Sequence, residues 1–222
     1  MRGSHLKPKL VIFDLDGTIL NLPINYDNLR KELKTMFKPF GVEMEFKPIL
    51  DSIKTALSTI RQDQGTQKFE EISMNVYRVL EKYETDAAHE AKVISGAEKT
   101  LAKLKQLDLK LAIFSRTGRS AVVGSLKTTG LEKYFDLIMA REDTTEQKPS
   151  SEGLEKILTM LGVKSDEAIV VGDHIFDIMA AKELGIKSIA IQNEKMSSDA
   201  FKEAKAYAIV NNISEIPDKI YS

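Results

Sequence analysis

The stretch LVIFDLDGTIL, residues 10–20, decides the fold. Leu10, Val11, Ile12 and Phe13 form an unbroken apolar run, the pattern of a short strand buried on both faces. The run ends in Asp14 and Asp16, and Gly17 and Thr18 follow at once. In an extended chain residues i and i+2 point to the same side, so both carboxylates can meet one ligand beyond the strand end. Gly17 allows a sharp turn and Thr18 can fix it through a local hydrogen bond. An Asp-Gly pair alone is ordinary turn chemistry, whereas the five-residue DLDGT is far more selective.

Downstream, apolar runs alternate with amphipathic segments. LKLAIFS, FDLIMA, AIVVGD, SIAIQ and YAIVN read as strands. RSAVVGSLKTTG, SSEGLEKILTMLG and IFDIMAAKELG read as helices with a glycine stop, and residues 198–205 and a tail segment near Ile213 also read as helical. That rhythm predicts an α/β fold with a doubly wound, Rossmann-like parallel sheet, in which ligands bind beyond the carboxyl ends of the strands.

Residues 21–93 break the rhythm, with no apolar run that reads as a strand. YDNLRKELKTMFKPFG, FKPILDSIKTALSTI and KFEEISMNVYRVLEKYE have helical spacing, separated by Gly41 and by RQDQGTQ. The expectation is an all-helical cap over residues 21–93, inserted into a core of residues 1–20 and 94–222. Because it leaves the core at the carboxyl end of the first strand, the insert is expected to lie over the Asp pair. Met36, Phe37, Met74 and Tyr77 are expected in its core. Arg61, Gln64, Gln67 and Lys68 are expected in a solvated connection around Gly65.

The 222 residues are 42% apolar and 29% charged, enough chain for a core with a large insertion. The 32 basic and 33 acidic residues nearly cancel, so the basic excess typical of nucleic-acid binding is absent. Without cysteine, disulfides, thiolate metal sites and cysteine nucleophiles are excluded. Runs such as AIVVG are too short to span a bilayer. Residues 1–9 lack the apolar stretch of a signal peptide, and residues 1–5 read as an expression-vector leader. A cytoplasmic protein with no nucleic-acid or membrane partner is expected.

Further polar residues fall at predicted strand ends: Ser115 after LAIF, Lys148 in EQKPS, and Asp173 and Asp177 in VVGDHIFD. Singly, Ser115 and Asp173 read as helix caps and Lys148 as a surface lysine. Together, in this order, they resemble the haloacid dehalogenase superfamily. DLDGT matches its first motif, Ser115 its second, Lys148 its third and GDHIFD its fourth. The resemblance covers residues 9–20 and 95–222, and the helical insert resembles the family's cap, as in phosphoglycolate phosphatases.

The resemblance implies a Mg²⁺-dependent phosphatase that hydrolyses a small organic phosphate monoester, a phosphorylated metabolite. Asp14 would be the nucleophile, forming an aspartyl-phosphate, and Asp16 the acid and then the base. Ser115 and Lys148 would hold phosphoryl oxygens. Asp14, the Asp16 carbonyl and Asp173 would bind Mg²⁺, with Gly17, Thr18 and Asp177 in support. An oxygen-only ligand set suits a hard cation. Arg116 stands where the second motif often has Asn; it is open to binding a second anionic group or to a surface ion pair. Asn21 replaces an Asp common in relatives with this cap. His174 is expected to be loop structure. Open alternatives are a phosphomutase, a phosphonate hydrolase using a cap lysine, and a non-enzymatic phosphate-binding module. Asp16 argues against dehalogenation, which needs no leaving-group proton.

Overall fold

In the computed structural model, which describes residues 7–194 and 196–220, β1 (Leu10–Phe13) lies inside a six-stranded parallel sheet. Residues 1–5 of the expected leader lie outside the described residues. After β1 come β2 (Leu20–Asn21) and β3 (Lys92–Val93), then β4 (Lys110–Phe114), β5 (Leu137–Met139), β6 (Ala168–Gly172), β7 (Lys187–Ile191) and β8 (Ala208–Val210). The sheet order is β5-β4-β1-β6-β7-β8, and every pairing in it is parallel. Strand order therefore reverses around β1, which makes its carboxyl end the switch point of the sheet.

The helices are α1 (Tyr26–Phe37), α2 (Ile49–Gln64), α3 (Thr66–His89), α4 (Ala97–Gln106), α5 (Arg119–Thr129), α6 (Glu152–Leu161), α7 (Ile175–Glu183), α8 (Ser198–Glu203) and α9 (Ile216–Lys219). Leu10, Ile12, Ala112, Phe114 and Val170 pack with Leu154 and Ile157 of α6 and Ala180 and Ala181 of α7. The alternate residues Val11, Phe13, Leu111 and Ile113 are equally buried, so the central strands are covered on both faces. Helix α4 was not among the expected elements. Its buried Ala97, Thr100, Leu101 and Leu104 nevertheless follow the spacing of one helix face.

Two compact units make up the chain: one from the segments up to Leu22 and from Ala88 onward, the other from Pro23–Ala87. Within the first, β2 and β3 pair antiparallel, Leu20 with Val93 and Asn21 with Lys92. These strand pieces correct the strandless reading of residues 21–93, because two residues are too few to show an alternation.

The second unit is helical and packs Leu29, Leu33, Phe37, Phe46, Ile53, Leu57, Ile60, Ile72, Val76 and Leu80 together. The Phe37 and Phe46 rings stack with centroids 5.2 Å apart. Phe37 is fully buried and Met36 packs partly against this core, but Met74 is 64% exposed and Tyr77 38%. In α3 the inward positions are Ile72, Val76 and Leu80. Met74 lies two residues from Ile72 and from Val76, on the opposite side of the helix. Nor is there a loop at RQDQGTQ. Gly65, at φ +83°, makes the break alone, so Arg61 and Gln64 end α2 while Gln67 and Lys68 begin α3.

Candidate active site

Asp14 is the first residue past β1, and its N–H donates to Val171 O at 2.9 Å, so the β1–β6 ladder holds it beside Gly172. The turn after it closes through backbone bonds: Ile19 N–H to Leu15 O (2.9 Å) and Gly17 N–H to Leu20 O (2.8 Å). Gly17 sits at φ +92°, and a Cβ there would run into the Asp173 carboxylate. Thr18 does not use its hydroxyl locally. Buried, its Oγ1 donates across to Asp173 Oδ1 at 3.3 Å. Asp16 Oδ1 accepts the Leu22 N–H at 2.9 Å.

Lys148 is the hub. Its buried Nζ donates to Asp14 Oδ1 (2.6 Å), Phe114 O (2.6 Å) and Asp177 Oδ1 (2.7 Å). Three acceptors satisfy the three donors of an ammonium group. Burial works to lower the Lys148 pKa, but the Asp14 and Asp177 carboxylates outweigh it and hold the pKa above the ordinary value. A short brace supports the loop that carries it: Glu152 accepts the Thr145 N–H at 3.0 Å and the Glu146 N–H at 2.8 Å.

Asp177 is buried on the first turn of α7. Besides accepting from Lys148, it accepts the His174 N–H on Oδ2 at 3.2 Å. His174 caps the helix, its Nδ1 accepting the Phe176 N–H at 3.2 Å. Gly172 is glycine because a Cβ there would collide with the Asp177 carboxyl. Ser115, past the end of β4, is buried, and its Oγ accepts the Thr117 N–H at 3.1 Å, which leaves its own O–H free to donate. The Arg116 guanidinium lies over the Phe176 ring, 5.2 Å from its centroid. Arg141, also buried, donates from Nη1 to Arg116 O at 3.3 Å and braces this loop.

Oxygens of Asp14, Asp173 and Asp177 lie within 4.8 Å of one another. Burial drives the Asp14 carboxyl up to about 6, with Lys148 pulling it down and Asp177 pushing it up. Burial, then Asp14, Asp177 and Asp16, push Asp173 up to about 7. Carboxylates crowded this way repel, and a divalent cation offsets the repulsion. The all-oxygen donor set fits a hard cation. Both Asp177 oxygens are already engaged by the protein, Oδ1 by Lys148 and Oδ2 by the His174 N–H.

Asn193 was missed in the sequence. It stands two residues past β7, and its Nδ2 donates to Asp173 O (2.7 Å) and Asp173 Oδ2 (3.0 Å). The available signal was a polar residue beyond the carboxyl end of a strand two places from β1.

Among the described residues, no helix is long and apolar enough to cross a membrane. Pyrophosphatase PpaX of Halalkalibacterium halodurans is 28% identical to this chain over 94% of each. Pyrophosphatase PpaX of Bacillus cereus strain AH820 is 27% identical over 84% of each. Among solved structures, CbbY from Rhodobacter sphaeroides in complex with phosphate superposes with a TM-score of 0.71 at 20% identity, covering 94% of this chain and 96% of that one. A haloacid dehalogenase-like family hydrolase from Streptococcus pneumoniae gives 0.68 at 20% identity, covering 96% and 98%. The family model of haloacid dehalogenase-like hydrolases matches residues 11–191, a span that runs from β1 to the end of β7, and the chain belongs to that family.

Proposed function

We propose that the protein is a Mg²⁺-dependent phosphatase of a small phosphorylated metabolite, working through an aspartyl-phosphate on Asp14. The observation that carries this reading is the buried Lys148 ammonium shared by Asp14 and Asp177 at the switch point of the sheet. It keeps one carboxylate charged and aimed where a phosphoryl group would arrive.

Asp14 attacks phosphorus as the bond to the leaving oxygen breaks, and Asp16 gives that oxygen a proton. Water then attacks the same phosphorus, Asp16 takes its proton, and phosphate leaves with the Asp14 carboxylate restored. Ser115 donates to a phosphoryl oxygen and Lys148 offsets the charge. Asp14, Asp173 and the Asp16 carbonyl would hold Mg²⁺, which when bound supplies positive charge against the carboxylates and the phosphate.

The test is a phosphate-release screen over phosphorylated metabolites with and without Mg²⁺. Turnover of a monoester that needs Mg²⁺ supports the reading; no turnover of any member would sink it. The shared name of the PpaX relatives puts inorganic pyrophosphate on the panel, and Arg116 favours this second reading. Its guanidinium lies over the Phe176 ring, one residue along from Ser115, and a planar guanidinium suits a second phosphoryl group. Arg116→Ala is expected to raise KM for pyrophosphate about tenfold more than KM for a monoester. Equal effects on both would remove that role.

The raised carboxylates give a pH signature. Asp14 at about 6 and Asp173 at about 7 bind protons more tightly in the folded chain than at their ordinary value of 3.8. The stability they contribute is complete below that ordinary value and is lost as pH rises through about 6 and 7. Added Mg²⁺ should therefore raise the melting temperature more at pH 8 than at pH 5. Its affinity should fall about tenfold for each pH unit below about 6 to 7, for each carboxylate that must lose a proton. Thermal unfolding at both pH values checks this; equal Mg²⁺ effects would contradict it.

A further inference from the structure

Asp173 is repelled by Asp14, Asp177 and Asp16. A carboxylate in that position would relieve the repulsion by swinging away from its neighbours, and two hydrogen bonds oppose the swing. Thr18 Oγ1 donates to Oδ1 at 3.3 Å and Asn193 Nδ2 donates to Oδ2 at 3.0 Å. Asn193 also donates to Asp173 O at 2.7 Å, so one amide group grips both the backbone and the side chain of the same residue.

The amide orientation is fixed by chemistry. Asn193 Oδ1 accepts the Met196 N–H at 2.9 Å. A backbone N–H can only donate, so the amide oxygen must face it and the NH₂ must face Asp173. The NH₂ then spends its two hydrogens on the two Asp173 acceptors. Being neutral, Asn193 orients the carboxylate without adding a charge to a crowded site.

We infer that Asn193 is a positioning residue for the cation site, holding Asp173 in the ligating orientation from just past the adjacent strand β7. This rests on the reading of Asp14 and Asp173 as cation ligands. Outer partners of this kind commonly affect metal affinity by about 10–100-fold.

The experiment is a Mn²⁺ titration followed by the electron paramagnetic resonance signal of the free ion. It compares the wild type, Asn193→Ser, Asn193→Ala and the remote control Asn211→Ala. Serine can still accept the Met196 N–H through a local side-chain turn but is too short to reach Asp173. Asn193→Ser and Asn193→Ala are both expected to bind Mn²⁺ about 10–100-fold more weakly. The metal-free melting temperature of Asn193→Ser should stay close to that of the wild type, and Asn211→Ala should bind as the wild type does. Wild-type affinity in Asn193→Ser would overturn the inference and leave Asn193 a loop residue only. A loss of Mn²⁺ binding that merely tracks a loss of metal-free fold would overturn it too. If the wild type itself binds no Mn²⁺, the cation-site reading fails first and this inference falls with it.

Discussion

Lys148→Met is expected to abolish turnover and to lower stability by about 3–5 kcal/mol, the usual result of removing one partner from a buried ion pair. The Nζ it removes is the donor to Asp14, Asp177 and Phe114 O. Methionine fills a similar volume, so the deficit reflects uncompensated carboxylates rather than a cavity. It should shrink as pH falls through about 6, because burial holds the Asp14 carboxyl up there and protonating it removes charge that lysine had balanced. Denaturant unfolding at about pH 5 and pH 8, beside phosphate release, tests both statements. A variant as stable as the wild type at the higher pH would show that the pair contributes nothing to the fold.

Asp14→Asn is expected to cut turnover by at least about 10⁴-fold, the scale seen when an essential nucleophile is removed. It should do so without destabilising the protein. Asp14 is charged only at a cost, since burial holds its carboxyl up at about 6, and after burial it is the next largest influence raising Asp173. A neutral amide keeps the shape and removes one repulsive charge, while Lys148 retains Asp177 and Phe114 O. The metal-free melting temperature at pH 8 should therefore equal or exceed that of the wild type. Residual turnover within tenfold of the wild type would rule out Asp14 as the attacking group; a large drop in melting temperature would contradict the electrostatic account.

The parallel sheet was readable because each of its strands is either a short apolar run or closes on a glycine-stopped helix. The site was readable for a related reason: Asp14, Ser115 and Asp173 each follow a run that stops abruptly. Lys148 and Asp177 were found by type and order, but nothing in a linear pattern says that one ammonium bridges residues 14 and 177. Asn193 was invisible because its bonds to Asp173 span 20 positions and an asparagine in a loop has many uses. In the helical unit, Met74 misled because an apolar residue can lie on either side of a helix whose inward face is set by Ile72, Val76 and Leu80. The two-residue pairing of β2 with β3 left no pattern to read.

That small ladder matters beyond its size. Asn21 and Lys92 are direct partners, so the chain departs from the sheet unit and returns to it at one hydrogen-bonded doorway. Whatever is strung between those two residues starts and ends at neighbouring points, and the entropic cost of closing such an excursion grows only with the logarithm of its length. The closure cost to the sheet unit thus changes little with the length it carries there. Evolution can lengthen, shorten or replace the 65-odd residues of Pro23–Ala87 while the register of the strands beneath Asp14 stays as it is.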